Sequence, residues 1–405
     1  MIKTAIIGVS GFGNIHYNDL IRYQEHGKLE ITAATIINQD EEAEKCARLK
    51  AVGCEIFSDY KAMLEKFRDT IDICFIPTGI SLHAPMAIAA LEAGANVYVE
   101  KPITATLRDL AAIKEAESKS GKFVAVGYQN IYQPSTAKIK NAILAGDIGE
   151  VKTIKFCGIT VRDKAYYSRN NWAGRIKIGE NWILDSPFNN AMAHQLNLLC
   201  FFAGKTFENP ARLKTVQAQL FRANPDIENA DNAAMEIITE DNKKLLYYAT
   251  HTAECNEEVQ IIITGTQGVI KWTFDKTTYK IDGREYIHEN NDNRDHVMDA
   301  LLAKAKGEKS FICDLAIAGS QTLVVNAAHA SSEINAAPPE YVITQPYKDS
   351  TSERLKDISE IMSRAFQEER LFTRADYPWM KTGRIVDIAH DDIEKLIREN
   401  LKLPE

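Results

Sequence analysis

No apolar run in this 405-residue chain approaches the roughly 18 residues that a membrane-spanning helix needs, so no membrane partner is expected. Cysteine is sparse: seven residues are scattered at 46, 54, 74, 157, 200, 255 and 313, and no Cys-x-x-Cys occurs. Cys74 and Cys200 lie inside apolar runs, which predicts buried free thiols rather than a disulfide framework. No His, Cys and Asp cluster has metal-ligand spacing, so no metal is expected. Positive charge is not in excess either. A net charge of −8 argues against nucleic acid or an anionic membrane as the main partner. There are no internal repeats and no low-complexity stretch. Met1-Ile2-Lys3-Thr4-Ala5-Ile6-Ile7-Gly8 runs directly into a strand-like segment, leaving no room for a signal peptide, and the expected location is cytoplasmic.

What is present is a globular pattern, 45% hydrophobic and 26% charged, over a length that suggests two domains. From residue 1 to about 127, strand-like runs alternate with helical ones. The strands fall at Lys3–Ile7, Glu30–Ile36, Ile71–Ile76, Asn96–Val99 and Phe123–Val126, with helices at about 14–25, 40–51, 59–67, 81–93 and 106–119. Ser81 is the expected N-cap of the fourth helix and Gly94 its C′ residue. This alternation means βαβ units around a parallel sheet. After a helix at 135–145 the texture changes. Val151–Val161, Arg212–Phe221, Ala233–Ile238, Lys244–Thr250, Val259–Thr264 and Gly268–Phe274 alternate apolar with polar, the pattern of a mostly antiparallel sheet with one buried face. Helical patterns interrupt it at 189–203, 294–305 and 312–334, and the tail from about 351 to 400 reads as helical. The predicted fold is α/β: an N-terminal Rossmann, doubly wound parallel sheet over 1–128, then an α+β domain with a large open sheet over 129–345. A helical C-terminal extension is expected over 346–405.

Gly8-Val9-Ser10-Gly11-Phe12-Gly13 follows the first strand and opens the first helix. Glycines there allow a tight turn and let backbone N–H groups reach a pyrophosphate at the helix N-terminus, so Gly8, Gly11, Phe12, Gly13 and Asn14 are candidate dinucleotide contacts. The usual acid at the end of the second strand, which holds the ribose 2′-OH, is missing. Ile36 stands there, no Arg or Lys follows to take a 2′-phosphate, and Asn38 suits either form. NAD and NADP both stay open, with the lack of a nearby cation tilting the balance to NAD. A second stretch, Ala95-Asn96-Val97-Tyr98-Val99, ends abruptly in Glu100-Lys101-Pro102. Ligands of open α/β sheets sit beyond the carboxyl ends of the strands, so this places an ammonium where a ligand would be.

The glycine loop, Ile76-Pro77-Thr78 followed by His83, Glu100-Lys101-Pro102, Gly127-Tyr128-Gln129 and Gly146-Asp147-Ile148-Gly149-Glu150-Val151 occur in an order and spacing that resemble the glucose–fructose oxidoreductase/inositol dehydrogenase (Gfo/Idh/MocA) family. The resemblance covers roughly residues 2–340. It implies a Rossmann domain followed by an α+β domain whose open sheet often forms oligomer contacts, hence a homo-oligomer, dimer or tetramer. It also implies that Lys101 lies near the nicotinamide and substrate hydroxyl with Glu100 beside it, and that Pro77, Thr78, His83 and Gln129 line the cofactor.

The family usually carries Asp-x-x-x-His on a helix of its second domain, where residues four apart share a face. Histidine suits the role because it titrates near neutrality and takes a hydroxyl proton as hydride leaves carbon. Here the stretch is Asp185-Ser186-Pro187-Phe188-Asn189-Asn190-Ala191-Met192-Ala193-His194-Gln195-Leu196-Asn197. His194 is in place, but Asn190 and Asn197 replace the two family acids. Asparagine orients a hydroxyl without accepting a proton. Asp185 compensates only if the Ser-Pro-Phe turn folds it back. Upstream, Tyr166-Tyr167-Ser168-Arg169-Asn170-Asn171-Trp172-Ala173-Gly174-Arg175 offers aromatic faces for a sugar ring and guanidinium groups for hydroxyls or an anion; Trp172 and Arg175 are the chosen substrate contacts. His251 at a strand end is a further candidate. The expected function is hydride transfer between a nicotinamide cofactor and a sugar, polyol or related carbohydrate derivative, with Lys101 and His194 sharing the acid/base work. Two rivals are an NAD-recycling glycosidase or epimerase with tightly held cofactor, and a non-catalytic cofactor-dependent sensor, which the missing acids favour.

Overall fold

A computed structural model describes residues 1–290 and 293–402. The chain divides into two compact units, Met1–Tyr132 with Asn293–Gly319, and Gln133–Asp292 with Ser320–Glu405. Among the described residues no helix is long and apolar enough to cross a membrane.

The first unit holds β1 (Ile2–Ile7), α1 (Gly13–Glu25), β2 (Leu29–Thr35), α2 (Ala43–Ala51), β3 (Glu55–Phe57), α3 (Tyr60–Lys66), β4 (Ile73–Ile76), α4 (Ile80–Glu92), β5 (Asn96–Val99), α5 (Leu107–Ser120) and β6 (Val124–Val126). The six strands form a parallel sheet in the order β3-β2-β1-β4-β5-β6, the doubly wound arrangement. Its central strands are near-continuous apolar runs because helices cover both faces, and β4 is buried at all four positions. The edge strand β3 is too short and too exposed to carry a buried-strand signature and is absent from the sequence reading. Helix α4 starts at Ile80 behind Gly79, so Ser81 lies inside the first turn and does not cap it. Gly94 follows that helix with φ +84, the left-handed value that favours glycine. The segment Asn293–Gly319 returns to this unit and adds the helix Asp295–Ala305, tied to α1 by Arg22–Asp295 at 2.5 Å and Arg294–Asp19 at 2.7 Å.

The second unit is built on a ten-stranded sheet. Its strands include β7 (Val151–Ile159), β10 (Leu213–Arg222), β11 (Asn232–Thr239), β12 (Lys244–Thr250), β13 (Gln260–Gly265), β14 (Gly268–Trp272), β15 (Lys276–Ile281), β16 (Arg284–Glu289) and β17 (Ile334–Ala336). The order is β16-β15-β14-β13-β7-β12-β11-β10-β17, with β20 (Val386–Asp387) joining β10; β8 (Lys177–Ile178) and β9 (Asn181–Trp182) form a small separate ladder. All neighbours pair antiparallel except β7 with β12 and β10 with β17. Side chains alternate between faces along a strand, and the alternation here separates two cores. Phe156 stacks on Tyr247 at 4.8 Å, and the Tyr247 phenol donates to Met192 O at 3.1 Å, so this set faces the helix Ala193–Ala203. Cys157, Ile159, Leu246 and Tyr248, one residue out of phase, pack with Leu355, Ile361, Met362, Phe366, Phe372 and Tyr377. The chain thus closes part of its own sheet face.

That tail is mixed rather than helical throughout. β18 (Val342–Tyr347) and β19 (Ser350–Leu355) form a hairpin, the helices Ile358–Glu368 and Ile393–Asn400 follow, and β20 stitches onto β10. Lys155 anchors it, donating to Phe366 O at 3.0 Å and pairing with Glu369 at 2.9 Å. All seven cysteines are free, and all but Cys255 are buried.

Candidate active site

In the first unit the candidate residues gather at the carboxyl ends of the strands. Gly8 has φ +93 and Gly11 φ +55. A Cβ on Gly13 would lie 2.8 Å from Gly8 O and 3.5 Å from the Pro77 ring, and one on Gly8 would lie 3.7 Å from Thr78 Cγ2. Pro77 and Thr78, at the end of β4, therefore sit against the loop that follows β1, at the point where the strand order reverses. Gly13 and Asn14 bond back to Ser10 and Gly11, but among the described residues the N–H groups of Ser10, Gly11 and Phe12 meet no acceptor. Free donors at a helix N-terminus, with no acidic side chain in its first turn, make a cradle for a phosphate. Gln129 presents a buried Oε1 that has no partner among the described residues. These features fit a dinucleotide.

Beyond β2, Ile36 is buried and Ile37 is 84% exposed. The Asn38 amide donates to Ser10 Oγ at 3.1 Å and to Glu41 at 2.8 Å. A lysine does reach this corner, contrary to the sequence expectation: Lys45 donates to Val9 O at 2.8 Å and pairs with Glu42 at 2.7 Å. One helical turn brings it to the loop, and Glu42 supplies its counter-charge.

Glu100 is not a free surface carboxylate. It is 5% exposed and accepts a 2.7 Å hydrogen bond from His16 Nε2, itself 1% exposed. Burial opposes its ionisation, yet the His16 bond and charge, with Lys101 and Arg294, outweigh burial and hold the carboxyl at about 2. Its other oxygen accepts the Lys101 N–H at 3.1 Å, and it fills the space where a Gly127 side chain would begin, 2.9 Å from the built Cβ. Glu100 therefore ties α1 to the end of β5 and fixes the backbone that carries Lys101. His16 escaped the sequence reading; its only signal is its place one turn into the helix opened by the glycine loop. His83 is 1% exposed, with ring nitrogens 2.8 Å from Pro102 O and 3.0 Å from Thr78 O. Burial holds its pKa below the ordinary histidine value. The ring braces the turns after β4 and β5 from behind.

In the second unit, Leu184 takes φ +51 and turns the chain into Asp185. The Ser186-Pro187-Phe188 turn folds back through Asn190 N to Ser186 O, 2.9 Å, and Met192 N to Pro187 O, 2.7 Å. This puts the Asn190 amide 2.8 Å from Asp185 Oδ1, while Asp185 Oδ2 accepts the Gly174 N–H at 2.6 Å. The carboxylate missing from position 190 is present one bond behind it. His194 and Asn197 follow on the buried helix Ala193–Ala203, 9% and 0% exposed. Lys140, fully buried, closes the far end of that helix by donating to Phe201 O and Gly204 O at 2.6 Å each.

Trp172 is half-buried, its N–H accepted by Asn170 at 3.1 Å. Arg175 carries its own counter-ion, Glu228 at 2.8 Å. His251, 2% exposed, meets the Tyr167 hydroxyl through Nδ1 at 3.1 Å, and its Nε2 has no partner among the described residues. Burial, and then Arg162 and Arg169, keep it neutral. Among the described residues no group of three or more His, Cys, Asp or Glu is placed to hold a metal.

Comparison with known proteins adds the following. Residues 2–128 match the family model described as an oxidoreductase family, NAD-binding Rossmann fold, and residues 136–271 match the GFO/IDH/MocA C-terminal domain. A dTDP-3,4-didehydro-2,6-dideoxy-alpha-D-glucose 3-reductase of Streptomyces violaceoruber is 29% identical over 38% of this chain and 44% of its own. An inositol 2-dehydrogenase/D-chiro-inositol 3-dehydrogenase of Halalkalibacterium halodurans is 25% identical over 51% of this chain and 54% of its own. The chain thus spans about half the length of the curated relatives it matches. The WlbA dehydrogenase of Bordetella pertussis, solved with NADH and UDP-GlcNAcA, superposes with TM-score 0.66 at 21% identity, over 81% of this chain and 95% of that one. That likeness shows the fold.

Proposed function

The chain belongs to the GFO/IDH/MocA oxidoreductase family, and from that premise we propose that it transfers a hydride between a nicotinamide nucleotide and a hydroxyl-bearing carbon of a sugar, polyol or related carbohydrate derivative. The observation that carries the reading is the glycine loop: three N–H groups without acceptors among the described residues, on a loop packed against Pro77 and Thr78, with no room for a side chain at Gly13. Gly8, Gly11, Phe12, Gly13 and Asn14 would hold the pyrophosphate, Asn38 a ribose, and Pro77, Thr78 and Gln129 the remainder. The cofactor supplies the hydride chemistry. NAD is preferred over NADP because the Lys45 charge is matched by Glu42 and the Asn38 amide is already bonded to Glu41.

The protein groups handle the proton. Lys101 is the proposed general acid/base at the hydroxyl, its backbone fixed by Glu100 and its neighbouring turn braced by His83. His194 is the second proton-handling group, with Asn190 and Asn197 orienting hydroxyls and Trp172 offering an apolar face to the ring. Asp185 acts through Asn190 by fixing its amide rotamer, accepting the Asn190 N–H at 2.8 Å. The missing acid was the observation that favoured a non-catalytic sensor, and a carboxylate bonded to Asn190 removes most of its force. The test is Lys101→Ala in a screen of sugars and polyols. Turnover should fall by about 10²–10⁴-fold, the usual contribution of a positioned acid/base, while NADH affinity is kept. Undiminished turnover would overturn the assignment.

A further inference from the structure

Arg162 and Arg169 both lie against one aromatic ring. The Arg162 guanidinium lies 4.8 Å and the Arg169 guanidinium 3.6 Å from the Tyr166 ring centroid, and Arg169 also stands 5.1 Å from the Trp172 ring. Arg162 and Arg169 thus share the Tyr166 ring, and Arg169 also reaches Trp172. The cluster rests on the short helix Lys164–Ser168, whose N-cap Asp163 accepts the Tyr166 N–H at 2.8 Å, and on Asn170, which accepts the N–H groups of both Trp172 and Ala173.

Neither guanidinium is paired with a carboxylate among the described residues; their hydrogen bonds go to Val161 O and Tyr166 O. Arg162 Nε is buried with no acceptor among the described residues. Acids are close by, but neutral donors occupy them. Asp163 caps the helix, Asp185 takes the Gly174 N–H and the Asn190 amide, and Asp231 takes the N–H groups of Ala223 and Asn224. Glu353 faces Lys164 and Thr344. By contrast Arg175, the guanidinium first expected to touch substrate, is neutralised by Glu228. Two guanidinium groups against one ring, neither met by a carboxylate among the described residues, leave N–H edges open to charge-assisted bonds with an anion. The cluster adjoins the candidate substrate residues. Tyr166 lies 5.9 Å from the His251 ring, and the Asp185 that holds Asn190 is close enough for its charge, after burial, to help raise the Tyr166 pKa.

We propose that Arg162 and Arg169, held against Tyr166 and Trp172, form a subsite for an anionic group, carboxylate or phosphate, on the carbohydrate substrate. This rests on the reading of the chain as a carbohydrate oxidoreductase and narrows its substrate class: neutral polyols leave the pair unmatched, and acidic or phosphorylated sugars complete it.

The test uses the full chain, labelled with ¹⁵N in arginine side chains and saturated with NAD⁺. The Nε–Hε signals of Arg162 and Arg169, assigned with R162K and R169K, are followed while glucuronate, glucose 6-phosphate or glucose is added. At least one anionic sugar should shift both signals saturably at about tenfold or more lower concentration than glucose, the advantage expected of charge-assisted bonds. A stronger response to glucuronate assigns a carboxylate, and a stronger response to glucose 6-phosphate assigns a phosphate. The advantage should vanish in R162Q/R169Q and shrink in R169Q, which changes an exposed residue and so keeps the test alive if the double variant does not fold. Equal responses to glucose and the anions, or none to either anion, overturn the proposal. NADH fluorescence on the same samples separates the two readings. The variants should bind NADH as the parent chain does; a parent that binds none refutes the oxidoreductase reading, while the anion titration repeated without cofactor still judges the arginine pair.

Discussion

Replacing His16 with alanine removes one partner of the buried pair that joins α1 to the end of β5. The two side chains meet at 2.7 Å with 1% and 6% of their surface exposed, so solvent screens the interaction little. Lowering the Glu100 carboxyl from its ordinary 4.5 to about 2, against burial and with His16 leading Lys101 and Arg294, corresponds to about 3 kcal/mol of stability by linkage, the larger part of it through His16. Breaking a buried pair by removing one member costs about 3–5 kcal/mol by a separate route, and the two figures agree near 3. Because the folded pKa is depressed, this stability is present in full above about pH 4.5 and is lost as pH falls toward about 2. The gap between parent and H16A should be about 3 kcal/mol at pH 7 and less than half that by about pH 3. Urea unfolding followed by far-ultraviolet circular dichroism at both pH values measures it. Tryptophan emission does not serve, since Trp172, Trp182, Trp272 and Trp379 all belong to the second unit. A gap below about 1 kcal/mol at pH 7, or one undiminished at pH 3, would refute the reasoning.

Three further outcomes follow from the geometry. Gly13→Ala places a Cβ 2.8 Å from the backbone oxygen of Gly8 and should cost about 1–3 kcal/mol of overpacking, with NADH affinity down by about tenfold or more in a fluorescence titration. Asp185→Asn exchanges charge-assisted bonds to Gly174 and Asn190 for neutral ones about half as strong; turnover on a substrate found by screening should drop by about tenfold, NADH affinity should hold, and adding Asn190→Asp should restore part of the loss. Phe366→Ala strips the tail of a side chain packed on Tyr248 and on the Lys155 ammonium, and tryptophan-detected urea unfolding should show a loss of about 3–5 kcal/mol.

The parallel sheet of the first unit was legible because strands buried on both faces are written as short apolar runs, and β4 and β5 show this plainly. The glycine loop was legible because its residue type and its position after β1 are both local signals. What escaped depends on partners distant in sequence. His16 and Glu100 are 84 residues apart, and neither carries a mark of the other. The Asp185–Asn190 bond depends on a non-periodic turn through Leu184 and Pro187, which hydrophobic patterning does not encode. The β18–β19 hairpin and β20 read as polar tail because their strands are half exposed and find their order only against the sheet. Arg162 looked unremarkable in sequence, since its significance lies in the carboxylates that it does not meet.

The central claim is tested most directly by titrating the freshly purified chain with NADH and NADPH, alongside denaturing extraction to detect nucleotide carried through purification. The account predicts one nicotinamide nucleotide per chain, NADH ahead of NADPH, with binding weakened by Gly13→Ala. Failure of either nucleotide to bind, with none extracted, would contradict the account from the glycine loop onward.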